Sequence, residues 1–223
     1  MLFKESVTIA LTALLSNKLR SILTMLGIII GIAAVIVMIS IGMGVRKNIT
    51  DSIASLGSNM LIVTPNSSNS RGMRAAAGSG KKLKLDDATA IKKRIKNIDY
   101  VAPTVSASYQ VVNGNENWNT SVYGVTPEYL QIRSLTVTSG SFISQADLDS
   151  RNRVAVIGST VAGNLYGSEN PVGKNIRVNN QPFKVIGVLE KKGQASMGGD
   201  QDDVVLVPLT TAQERLMGIT YIR

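Results

Sequence analysis

The 223-residue chain has no cysteine and no histidine. Their absence excludes disulfides, thiolate nucleophiles, Ser-His and Cys-His triads and nearly every zinc site. It fixes no redox compartment, because a cysteine-free chain is stable in any. Aromatic residues are also scarce: three Phe, one Trp and six Tyr. They do not interleave with the lysines, so the net charge of +9 comes without a stacking platform for bases. The basic residues are spread out, densest at Lys81–Lys84 and Lys92–Lys96. They read as a solvated face, or one near anionic lipid headgroups, and not as a nucleic-acid site.

Charge is missing altogether between Arg20 and Arg46, across 25 residues that begin SILTMLGIIIGIAAVIVMISIG. At a rise of ~1.5 Å per residue a helix of this length runs about 37 Å, enough to cross a ~30 Å hydrocarbon core with some tilt. Its few polar residues, Ser21, Thr24 and Ser40, can bond back to the helix backbone. A buried helix of a soluble protein is the alternative, but such helices are usually shorter and broken by polar residues. A cleaved secretory signal has an apolar stretch of only ~7–15 residues, so a retained anchor fits better.

Residues 3–19 read as an amphipathic helix lying in the membrane interface, with Phe3, Val7, Leu11, Leu14 and Leu15 on its apolar face. Within the span, Gly27 and Gly31 form a G-x-x-x-G that lets another helix approach closely. Ile41, Val45, Ile49, Ile53 and Leu56 continue an apolar stripe past the charge-free stretch, to a stop at Gly57. A helix over 21–56 would be about 54 Å long, which predicts a stalk beyond the bilayer.

After the stalk, Asn59–Thr64 reads as a strand and 66–82 as a flexible loop. Asp86 reads as the N-cap of a helix over 87–97, and 101–112 as a second strand. Together they form a strand–helix–strand half-unit. From about Asn113 the texture changes to short strands and turns. Strands are expected at 120–125, 153–157 and 204–207, a short helix at 159–166, a hairpin pairing 174–178 with 182–189, and a helix opened by Thr210 or Thr211. Tyr221–Arg223 reads as the start of another strand.

No constellation carries catalysis. Gly167–Lys174 has five residues between its glycines and Asn175 after the lysine, so it fails as a phosphate loop. Asp86-Asp87 fits helix capping, and Asp147/Asp149 a turn or short-helix start. Asp200, Asp202 and Asp203 could hold calcium through oxygen, but lack the spacing of a calcium loop and read as solvated.

Asn17–Ser21, Leu23–Gly31 and Leu56–Asn59 resemble the N-terminal signature of MacB/FtsX-like ABC transporter permeases. Val154–Gly158, Asn170–Lys174, Val185–Leu189 and Asp202–Gln213 resemble that family's extracytoplasmic core domain. These motifs run in order along the whole chain. The resemblance implies an α+β membrane protein. Its parts would be a cytoplasmic interfacial helix (1–20), a transmembrane helix (21–45) and a stalk extension (46–58). A first porter-like half (59–112), a mainly β, sabre-like inserted subdomain (113–218) and the start of a return to the porter-like half (219–223) would follow.

By the same resemblance the chain is a permease subunit in the inner or plasma membrane, its N-terminus cytoplasmic and the residues after about 46 outside. Its partners would be a second permease subunit, the lipid bilayer and a cytoplasmic ABC ATPase, with a periplasmic adaptor as a further candidate. No cofactor is expected on this chain, ATP belonging to the ATPase. Met1 stands directly at the interfacial helix, so the ATPase is expected on a separate chain. The three further spans of the family are missing, so the chain looks like part of a longer permease. The resemblance implies mechanotransmission, in which ATP-driven motion passes along the long helices to the outer domain. A membrane-anchored binding or adaptor module without an ATPase is the second reading.

Overall fold

The computed structural model describes residues 2–55, 60–65, 82–194 and 199–222. Contacts divide the chain into two compact units, 1–51 and 52–223. The first unit is helical. Helix α1 (Leu2–Ser16) ends in a one-residue turn at Asn17, and α2 (Lys18–Ser55) follows at once. Lys18 and Arg20 therefore open the long helix and do not close the interfacial one. Thr24 Oγ1 donates back to the Arg20 carbonyl at 2.9 Å, which satisfies the hydroxyl inside the apolar stretch.

The second unit is a mixed α/β domain. Of the strand expected at Asn59–Thr64, residue 59 lies outside the described residues and 60–64 are in no strand. Gly57 and the loop at 66–81 lie outside the described residues. Helix α3 (Leu85–Arg94) begins earlier than the Asp86 cap predicted, with Lys84 at the N-cap. The Asp87 carboxylate accepts the Lys84 backbone N–H at 2.7 Å, so the acid caps from inside the helix. Strand β1 (Val105–Asn113) starts four residues later than expected. Pro103, which has no N–H to give a ladder, stands just before it.

β1 pairs antiparallel with β2 (Glu116–Val125) along its whole length, from Val105 opposite Gly124 to Asn113 opposite Glu116. The turn between them holds Gly114 at φ 58°. A subdomain boundary at 112/113 would therefore cut a hairpin. After β2 come α4 (Tyr129–Ile132), β3 (Val137–Gly140), α5 (Gln145–Asp149), β4 (Val154–Ile157) and α6 (Ser159–Tyr166). Then β5 (Asn175–Val178) and β6 (Gln181–Leu189) pair across Asn179 and Asn180, whose φ of 47° and 63° make a two-residue primed turn. β7 (Val204–Pro208), α7 (Leu209–Thr211) and a π-helical turn (Ala212–Met217) complete the order.

The pairings close on themselves. β6, β4, β7, β2, β1 and β5 follow one another, and β5 pairs back to β6, giving a six-stranded ring. β3 adds to β6 beyond the end of β5. The seam between β1 and β5 is short, Val111 opposite Val178 and Val112 opposite Arg177. Closure removes most of the free strand edges. Alternate residues of the strands supply the core: Val105, Val111, Val122, Val156, Ile176, Val178, Phe183, Val185 and Leu206 are almost fully buried. Leu209 and Ala212 seal one face, where Gly124 leaves no room for a side chain against Ala212 and Val105. At the chain's end Ile222 is buried and forms an antiparallel bridge to Leu83, its N–H donating to the Leu83 carbonyl at 2.9 Å.

Candidate functional site

The first candidate site is the face of α2. Gly27 and Gly31 lie one turn apart, and a Cβ on either would meet nothing within 4 Å. Ile41, Val45 and Ile49 are exposed, at 62%, 52% and 52% of their surface. Eighteen residues make about five helical turns, so Gly27 lines up with Val45 and Gly31 with Ile49. The glycine pair and the stripe thus share one side of one continuous helix. Ile53 lies in α2, its side chain outside the described set, and Leu56 lies outside the described residues. On α1, Val7 is exposed; Phe3, Leu11, Leu14 and Leu15 share the helix, their side chains outside the described set. The stretch Lys18–Thr50 is long and apolar enough to cross a membrane, and none of its most apolar window is buried against the rest of the chain.

The second built feature is the β6–β7 connection, which looked like a solvated acidic loop. The structure corrects that reading for Asp202, which is buried, and for the half-buried Asp203, while Asp200 is exposed as expected. Asp202 is 3% exposed. Its two carboxylate oxygens accept the backbone N–H groups of Lys192 and Gly193, both at 2.8 Å. Asp200 accepts the Asp202 N–H at 2.9 Å and the Thr160 hydroxyl at 2.7 Å. Asp203 accepts the Trp118 indole N–H at 2.9 Å. Three acids that might have turned toward a cation are instead spent on donors of the fold. No group of metal-ligating side chains occurs among the described residues.

Close by, the Lys192 ammonium donates to the Arg133 carbonyl at 2.7 Å. Burial holds it below the usual lysine range, and the Arg133 charge adds to that against the pull of Asp202 and Glu190. Burial likewise raises the Tyr129 phenol. At α5, Ser144 is the N-cap, and its hydroxyl and backbone N–H both face Asp147. Asn152 donates to the same carboxylate at 2.9 Å. Partial burial pushes Asp147 up, but the hydrogen bonds from Asn152 and Ser144 outweigh it and hold the group below its ordinary value. The Asp147/Asp149 pair, expected at a short-helix start, occurs on such a helix and is structural.

A spanning-length apolar helix without internal partners, joined in sequence to a mixed α/β domain, defines a membrane-anchored domain protein in class. The chain belongs to the MacB-like periplasmic core domain family, which it matches over residues 21–222. It is 44% identical over 209 residues to the macrolide export ATP-binding/permease protein MacB of Bdellovibrio bacteriovorus, covering 94% of this chain and 32% of that protein. Against the protein of the same name from Syntrophobacter fumaroxidans it is 40% identical over 217 residues, 97% of this chain and 30% of that one. The chain therefore spans about a third of the length of the curated relatives it matches. The crystal structure of the periplasmic region of MacB from Actinobacillus actinomycetemcomitans matches with a TM-score of 0.60 and 28% identity, covering 76% of this chain and 74% of that one. The extracellular domain of the transporter YknZ from Gram-positive bacteria shares the fold, at a TM-score of 0.55, 21% identity and coverage of 63% and 70%.

Proposed function

We propose that this chain is the transmembrane permease component of an ABC-type exporter. It couples ATP hydrolysis by a separate cytoplasmic ATPase subunit to motion of a domain outside the membrane. The family match and the MacB relatives support the class. The observation that carries the coupling is the unbroken run of α2 from Lys18 to Ser55. Residues 21–45 span the membrane and the rest of α2, to Ser55, is a stalk, so a shift at the cytoplasmic end of this helix moves its far end. Residues 1–20 lie on the cytoplasmic surface and meet the ATPase; the residues after about 46 are extracytoplasmic. Two copies form the permease, packing through Gly27 and Gly31. The porter-like part comprises residues 59 to about 104 with 219–223, and the sabre-like part begins at β1, because the β1–β2 hairpin belongs wholly to the ring.

The test inserts a flexible Gly-Ser segment beside Ile49 in the assembled transporter. ATPase binding stays and ATP hydrolysis continues, while export stops. Normal export by this variant refutes transmission through a stiff helix.

A further inference from the structure

Four glycines lie inside α2: Gly27, Gly31, Gly42 and Gly44. A Cβ on any of them would meet nothing within 4 Å, so no contact among the described residues requires them. Each weakens a helix interior about fivefold relative to alanine, because glycine has more backbone freedom to lose. What that weakness does depends on the surrounding solvent.

Gly27 and Gly31 stand well inside the charge-free stretch. In hydrocarbon a released N–H or C=O finds no water, so the backbone there stays helical despite its glycines. Gly42 and Gly44 stand at the far end, four and two residues before Arg46. Arg46 and Lys47 mark the level of headgroups and water, where a loosened turn can pass its carbonyls to solvent.

Ser40 precedes the second pair, and clustered Gly and Ser are among the few causes of sharp bends in long helices. Spacing also separates the two pairs. Gly27 and Gly31, four apart, share one face and suit a neighbouring helix. Gly42 and Gly44, two apart, lie about 200° from each other round the axis, so one neighbour cannot account for both. The helix is continuous through them, which makes the feature a soft point and not a break.

We propose that residues 40–44 are a bending joint where α2 leaves the membrane. The inference rests on residues 21–45 being the span. Along its axis α2 stays stiff, because the backbone is continuous, so displacement still passes from one end to the other. Tilt does not pass unchanged: span and stalk take different inclinations about the joint. A pair of spans packed through Gly27 and Gly31 thus stays together while the two stalks swing.

The test measures backbone N–H dipolar couplings of the whole chain in aligned lipid bicelles. Along a helix these couplings oscillate with the 3.6-residue period about a level set by the tilt. Residues 22–39 and 45–55 should need two waves, with tilts differing by about 20° or more, the size of a helix kink. Gly42→Ala with Gly44→Ala merges them into one wave, whereas Gly27→Ala with Gly31→Ala leaves two. A single wave in the wild type, or two waves that persist with alanine at 42 and 44, overturns the joint. Relaxation by dissolved oxygen reads membrane insertion separately. Residues 22–39 left unrelaxed overturn the span itself; a single wave with these residues relaxed overturns the joint alone.

Discussion

Asp202→Ala is the sharpest test of how the domain holds together. The wild-type carboxylate is 3% exposed and accepts two backbone N–H groups, from Lys192 and Gly193, at 2.8 Å each. Alanine removes the acceptor that both N–H groups share in the half-buried connection. A hydrogen bond to a charged group contributes about 1.5–3 kcal/mol, and an orphaned buried donor costs about 1–3 kcal/mol. The two losses overlap, since they describe the same bonds, and together give about 3–5 kcal/mol. That is a large part of the ~5–15 kcal/mol that holds a domain folded. Asp202→Asn keeps one acceptor oxygen and turns an amide toward the other N–H, so about half the effect is expected, roughly 1.5–3 kcal/mol. Trp118 makes the measurement direct. It is the chain's only tryptophan, and its indole N–H is bonded to Asp203, the neighbour of the mutated residue. Urea titrations followed by Trp118 fluorescence should show the midpoint falling in the order wild type, Asn, Ala, with the slope unchanged. A midpoint for Asp202→Ala equal to that of the wild type would refute the assignment of Asp202 as the lock of this connection.

Three other outcomes follow from the same structure. A Cβ on Gly158 would overlap the Asp202 carbonyl oxygen, and one on Gly187 the Ser141 carbonyl oxygen. Gly158→Ala and Gly187→Ala should therefore each destabilise by about 1–3 kcal/mol or more in the same urea assay, whereas Gly163→Ala should be neutral or stabilising. Asp147 is held below its ordinary carboxylate value, so its folded form binds a proton less readily than its unfolded form. Its contribution is present above the unfolded pKa of ~3.9 and fades as pH falls through the lower folded value. Acid titrations of stability should show this fall reduced in Asn152→Ala, and an identical profile would count against it. Leucine at Gly27 and Gly31 should reduce cysteine crosslinking between copies of α2 within the assembled transporter; unchanged crosslinking would exclude this face as a contact.

The apolar helix was the most legible element, because a long run without charge signals itself without tertiary information. The strands with continuous Val and Ile runs, β4 and β7, and the β5–β6 hairpin with its Asn-Asn turn were legible for the same local reason. Val154–Ile157 lies one residue inside the expected strand, and helix Ser159–Tyr166 falls where it was expected. Residues 60–64 of the expected Asn59–Thr64 strand were misleading: they suit a strand, but strand formation needs a partner, and none pairs with them among the described residues. β3, of sequence VTSG, has no pattern of its own and exists because β6 offers it an edge. Ring closure, and the burial of Asp202, depend on residues far apart in sequence meeting, which periodicity cannot report.

The bridge between Leu83 and Ile222 has a mechanical consequence. Where the chain enters α3 and where it comes back after the π-helical turn, the two strands of backbone are clasped side by side. A pull applied across that clasp is borne there by a backbone hydrogen bond and the buried Ile222 side chain. The six-stranded ring lies entirely between those two points in sequence, off the load path. With the clasp intact, the β1–β5 seam lies outside the segment that such a pull loads.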